Sequence, residues 1–227
     1  FSWIYHDNAL EGVVLSYHEL NAAIDDRIIS DATLIPTYED VQNHLTAIRF
    51  VRSSASRRKP TLGLDYLKKI HQILSTETTP RTGKSPPKPP PGQYRKDNPL
   101  HRMYFHEIAP PEKISYQMRK LVNWFTSEEA KKMHTVKRAS VAHHKLIAIY
   151  PWPRHSGKVA RLLMTAILMR DGIFPAILHA IERQRYYEVL RQPTDSLTQL
   201  VAESLNRTLD SALKLFDEPV KRTLTAT

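Results

Sequence analysis

Apolar residues recur along most of this chain at the three- and four-residue spacing of a helix with one buried face. Residues 15–29 place Leu15, Leu20, Ala23, Ile24 and Ile28 on one side, and Ser16 with Glu19 three residues later reads as a capping box. Residues 38–52 repeat the pattern through Val41, Leu45, Ile48 and Val51, and residues 62–74 through Leu64, Leu67, Ile70, Ile73 and Leu74. Further helical spacing covers 113–132, 135–150 (stopping before Pro151), 176–190 and 196–216. From Val159 to Met169 only Arg161 and Thr165 interrupt an apolar run, which predicts a helix buried on all sides at the centre of the fold.

The breaks are as informative as the helices. The basic link RSSASRRKP precedes the third helix, and residues 78–102 carry seven prolines, each without an amide donor, so that segment predicts a long surface loop. Residues 102–111, RMYFHEIAPP, alternate briefly and predict a strand or hairpin arm. The expected architecture is mainly α, with one small β element and no internal repeat. The expected organisation is an N-terminal helical segment over 1–60, a core over 61–190, and a C-terminal helix and tail over 191–227.

Composition narrows the class. With 227 residues, 41% of them hydrophobic, the chain can bury a sizeable core. No cysteine is present, which excludes disulfides and thiolate metal sites and fits a reducing, cytoplasmic setting. No apolar run reaches membrane-spanning length, and the opening FSWIYHDNAL lacks the basic and apolar regions of a signal peptide. The net charge of +10 and pI of about 9.7 point to an anionic partner. Between Glu129 and Asp171 there is no acidic residue, so the positive excess is concentrated around the buried helix.

Lys158, Arg161 and Thr165, spaced i, i+3, i+7, share one face of that helix, and the preceding Arg154-His155-Ser156-Gly157 leads into its first turn. Cations at a helix start oppose the helix dipole unless an anion sits among them. Backbone amides, a hydroxyl and convergent cations suit a phosphate; the alternative is pairing with structural carboxylates such as Glu11 or Glu182. The stretch is not a P-loop, because the earlier glycine and the preceding strand are missing. His143 and His144 diverge by about 100° on a helix and cannot share a metal. His143, Trp3, Trp124, Tyr186 and Tyr187 read as packing residues.

Residues 141–172, VAHHKLIAIYPWPRHSGKVARLLMTAILMRDG, resemble the signature region of Fic domains, H-P-F-x-D/E-G-N-G-R-x-x-R. Residues 7–20 resemble the family's N-terminal inhibitory segment, S/T-x-x-x-E-G/N; 62–74 resemble a core helix; 89–98 resemble its P-G-x-[FY]-R approach to the flap. Residues 182–190 resemble its E/D-R-x-x-Y-Y helix. The resemblance runs in order from about residue 5 to 190. It implies the helical Fic (Fido) fold with a β-hairpin flap, and transfer of AMP from ATP to a protein hydroxyl.

Carried over position by position, the implied site is altered. The catalytic His falls on Tyr150, a far poorer base at neutral pH. Pro151 matches, Trp152 replaces a Phe, and the Mg²⁺-holding acid falls on Arg154, so Mg²⁺ is not expected. The G-N-G loop reads His155-Ser156-Gly157; the first Arg is Lys158 and the second is Arg161. Arg154, Ser156, Gly157, Lys158 and Arg161 are therefore the expected binding set for ATP or another nucleotide. Glu11 matches the inhibitory glutamate that pairs with the second Arg, although Asp7 stands where a hydroxyl residue is usual. Tyr104 and His106 fall on the flap, where a protein partner would add a strand.

The expected function is a degenerate Fic protein that binds nucleotide or phosphate, with AMP transfer lost or strongly reduced. One alternative keeps activity, Arg154 replacing the metal and His155 or His144 the base. A second is a basic nucleic-acid binder, against which no recognised binding motif appears.

Overall fold

The structure is a computed structural model that describes residues 1–25, 35–56, 61–76, 90–99 and 106–224, without the side chains of Ile35 and of 215–224. The described elements are α1 (Ser2–Leu10), α2 (Tyr17–Ile24), α3 (Ile35–Ser56), α4 (Leu64–Leu74), α5 (Ile114–Phe125), α6 (Glu128–Lys132), α7 (Thr135–Ile149), α8 (Ser156–Arg170), α9 (Arg183–Val189) and α10 (Thr194–Leu224). Short 3₁₀ turns at Pro111–Lys113 and Ala180–Glu182 lead into α5 and α9.

The uniformly apolar run is the axle. Every residue of α8 from Ser156 to Leu168 is buried, with α7, α3 and α4 packed around it. α10 lies on α7, α2 and α4 lie on α3, and α5 fits against α7 and α4. A single hydrophobic cluster runs from Ile4 and Leu10 in α1, through Leu67, Met118, Leu146 and Leu163, to Val201 in α10. The Ser16–Glu19 capping box is formed in both directions at the start of α2.

Three places refine the expected pattern. Within the expected N-terminal helical segment, α1 has no apolar stripe of its own, because the face it buries includes Asp7 and Asn8. Residues 173–179 are not helical, so the expected helix over 176–190 shrinks to a turn and α9. The expected hairpin falls partly on 101–105, outside the described residues; the described part, 106–110, is irregular chain tied to the end of α7 by Ala109 N–H donating to Ala148 O at 2.8 Å.

Candidate functional site

The loop between α7 and α8 is held by two non-glycine residues in left-handed conformation. Tyr150 (φ 46°) ends α7 and His155 (φ 63°) begins α8. Such angles are disfavoured for residues with a Cβ and persist only where the surroundings fix them. Arg95 does much of this fixing. Its Nε donates to Tyr150 O at 2.7 Å and its guanidinium reaches Ile149 O, satisfying carbonyls that the end of α7 leaves open, and also donates to Ala109 O. Trp152, fully buried, stacks on His71 with ring centroids 4.6 Å apart. The Ser156 hydroxyl closes the loop: it accepts from Trp152 N at 2.9 Å and donates to Trp152 O at 2.8 Å.

The cations of α8 are not waiting for an outside anion. Lys158 and Arg161, each 4% exposed, meet the last turn of α1. Lys158 Nζ donates to Asn8 Oδ1 at 2.7 Å, Arg161 donates through Nε to Asp7, and its other arm donates to Glu11 Oε1 at 2.8 Å. Burial alone would raise the Asp7 carboxyl, but Arg161, His44 and Lys158 outweigh it and hold the group well below the usual carboxylate range. Burial lowers Lys158, opposed by Asp7, Asp40 and Glu11. Burial also works against Arg161, yet Asp7 and Glu11 raise it well above its ordinary value. Two cations face two carboxylates in a closed, neutral cluster.

α1 presents those groups for a local reason. At its end Gly12 (φ 87°) turns the chain left-handed, Gly12 N donates to Ala9 O and Val13 N to Asn8 O, both at 3.0 Å, which is the Schellman pattern. That stop sets Glu11 at the C-cap, one turn beyond Asp7. α9 then grips the same end: Arg183 Nε at 3.1 Å and Tyr187 hydroxyl at 3.0 Å both donate to Leu10 O. A cation at a helix C-terminus also complements its dipole. Gly157 completes the fit, since a Cβ there would collide with the Glu11 carboxylate.

The remaining expected residues are dispersed. Arg154 is exposed and reaches Asp40 of α3 at 3.4 Å. Ser156 turns its hydroxyl to Trp152. His155 is held neutral, pushed down to about 2 by burial, Lys158, Arg154, His71 and His44, so it takes up almost no proton at neutral pH. His144 turns a ring nitrogen to Leu190 O at the end of α9, 3.2 Å away. Tyr150 is buried edge-on to His106, centroids 6.3 Å apart. His106 is buried, a ring nitrogen 3.2 Å from Ile147 O, so this residue of the expected flap packs inward; Tyr104 lies outside the described residues. His143 is a core residue bonded to the Tyr186 hydroxyl at 3.1 Å.

Two members of the cluster were missed. His44 is fully buried, 2.9 Å from Asp7, and sits among Val41, Ile48 and Val51 on the apolar stripe of α3; a polar residue within that stripe was the available signal. Asn8 carries no such signal. A cavity of about 580 Å³ opens at the α7–α8 loop, lined in part by Asp40, His71, Pro153, Arg154 and His155. Among the described residues no group of three or more His, Asp or Glu side chains could hold a metal ion, and no helix is long and apolar enough to cross a membrane.

Comparison with known proteins returns one family. The Fic/DOC family model matches residues 61–168. A protein adenylyltransferase Fic from Nematostella vectensis is 28% identical over 219 residues, covering 94% of this chain and 48% of its own length. One from Aedes aegypti is 26% identical, covering 91% of this chain and 40% of its own. This chain thus spans about half or less of the length of those relatives. Among solved structures, a C. elegans Fic-1 fragment superposes with a TM-score of 0.80 at 23% identity, over 96% of this chain and 63% of its own. A Fic-domain signalling protein from Bacteroides thetaiotaomicron gives 0.72 at 19%, over 90% of this chain and 83% of its own.

Proposed function

We propose, from the premise that this chain is a Fic-domain protein, that it is a degenerate member of the family. Its nucleotide site is shut by its own α1, and AMP transfer to protein hydroxyls is lost or strongly reduced. The observation that carries this reading is the α7–α8 loop, where a buried phenol, Tyr150, and an Asp40-bound guanidinium, Arg154, stand at the positions of proton acceptor and metal carboxylate.

Proton transfer contributes about 10² to 10⁴ in rate. Neither neighbouring histidine supplies it: His155 is too weak a base, and His144 is engaged at Leu190. The residues present do not suit Mg²⁺, because Arg154 brings positive charge to the ion's place and already occupies Asp40. What persists is a pair of phosphate-facing cations, Lys158 and Arg161. They become available to ATP or another nucleotide when Asp7, Asn8 and Glu11 withdraw, and a protein partner is the expected recipient surface in this family.

The test is transfer of label from α-labelled ATP to lysate proteins. It compares the unmodified chain, an opened Asp7→Asn/Glu11→Gly variant, and that variant with Tyr150→His and Arg154→Asp added. Label is expected only with the last. Labelling by either of the first two would overturn the reading.

A further inference from the structure

On α6, α7, α9 and α10, surface cations are answered by neighbouring acids. Lys131 pairs with Glu128, Lys137 with Asp195, Arg138 with Asp171, Arg185 with Glu203 and Arg207 with Glu182. The outer face of α4 and α5 is different. Among the described residues, no carboxylate pairs with Lys68 or Lys69 of α4, or with Arg119 or Lys120 of α5. Lys69, Arg119 and Lys120 are exposed, and Lys68 is half-buried. α5 contains no acidic residue, and Asp65, one turn before Lys68 and Lys69, forms no ion pair with either.

Tyr94 joins the two helices. Lys68 Nζ lies over its ring, 5.7 Å from the centroid. Burial pushes the Tyr94 hydroxyl up, and the charge of Arg119 is near enough to oppose that rise. Tyr116, 60% exposed, shares a face of α5 with Arg119 and Lys120 by its i, i+3, i+4 spacing. Lys96, two residues beyond Tyr94, is also exposed.

We propose that this face of α4 and α5, with Tyr94 between them, docks a short carboxylate-rich segment of a partner protein. None of these residues belongs to the cluster of α1 and α8, so docking here does not depend on the state of the nucleotide site.

Charge complementarity selects the partner. Neighbouring cations without counter-ions repel one another, and an arriving anion relieves that repulsion. Arg119 supplies a planar fork that matches a carboxylate in two places, while the lysines attract without fixing direction. Tyr116 adds an exposed ring, a side chain common at the centres of protein interfaces. Nucleic acid fits less well. A base stacks on an open aromatic face, but Tyr94 has Lys68 over its ring and packs against Trp152, centroids 6.1 Å apart. The exposed acids Asp65, Asp97 and Glu112 flank these cations along the chain, which suits a short anionic stretch better than a continuous phosphate backbone.

Fluorescence anisotropy with a labelled oligoglutamate peptide and the full chain tests the surface. The unmodified protein is expected to bind the peptide, with affinity falling as salt rises from about 50 to 200 mM. Lys69→Glu/Lys120→Glu is expected to weaken binding by about tenfold or more, because each reversal turns an attraction into a repulsion of similar size. Lys131→Glu/Lys137→Glu changes the net charge equally on another face and is expected to alter affinity by about twofold or less. Carbodiimide coupling of the same peptide to the unmodified protein gives a second readout, since it joins carboxylates only to amines in contact with them. Adducts are expected to concentrate on Lys68, Lys69 and Lys120. No binding, equal weakening by the two double variants, or adducts spread evenly over Lys131, Lys132 and Lys137 would overturn the proposal. Tighter binding of a single-stranded oligonucleotide of equal charge would overturn it in favour of nucleic acid.

Discussion

At the scale of single residues, the site is governed by who supplies the counter-charge. The helix-start cations Lys158 and Arg161 call for an anion, and the anion is found 150 and more positions away in sequence, at Glu11 and Asp7. Gly157 is the complementary cavity for that arrangement. Gly157→Ala is expected to push Glu11 off Arg161 and to lower the thermal midpoint by an amount equivalent to about 1–3 kcal/mol. Differential scanning calorimetry checks it, and an unchanged midpoint would mean that Glu11 does not sit against this glycine. Arg95 offers a second residue-level test. Its guanidinium joins the end of α7 to Ala109 and to the irregular chain at 97–98. Arg95→Ala leaves several buried carbonyls without donors, at about 1–3 kcal/mol for an unsatisfied group, and should loosen residues 106–110 ahead of α8. Exchange measurements showing those residues unaffected would contradict this.

At the scale of elements, α1 behaves as a docked part whose position depends on how its C-terminal end is specified. The Gly12 turn is the specific requirement, because a left-handed residue with a side chain costs about 1–2 kcal/mol. Gly12→Ala is therefore expected to speed α1 exchange by roughly tenfold while leaving α10 protection unchanged. An effect spread over the whole chain would argue against a local cap. The same scale shows what sequence can and cannot convey. α4, α5, α7 and α8 follow from spacing alone, since each carries a continuous apolar stripe bounded by a proline, glycine or polar cap. α1 does not, because the face it buries is polar and is stabilised by partners on α8 and α9 that lie far along the chain. The Fic-like order of segments located the loop and the cations. It did not show that Ser156 turns inward to Trp152, that His44 stands behind Asp7, or that His106 is buried; those depend on packing between helices.

At the scale of the whole molecule, neutral histidines tie stability to pH. Burial lowers His6 and His71 to about 4, and also lowers His44 and His143. In the unfolded chain these groups titrate near 6.5. Below that pH the unfolded state binds more protons than the fold, so stability is complete above about pH 6.5 and falls as pH drops toward about 4. Asp7 acts in the same direction further into acid: its folded value lies below its unfolded one, so its contribution is full above about pH 4 and is lost as the pH falls through the folded value. Thermal midpoints measured from pH 8 to 4 should be level at first and then decline steadily. A midpoint that rises between pH 7 and 5 would show that these imidazoles are protonated in the fold.

The claim on which the rest depends is that α1 already neutralises the cations a nucleotide would need. Calorimetric titration of ATP into the unmodified chain and into Asp7→Asn/Glu11→Gly measures this directly. The expected result is no detectable heat of binding in the former and saturable binding in the latter. Equal affinity of the two proteins for ATP would contradict it.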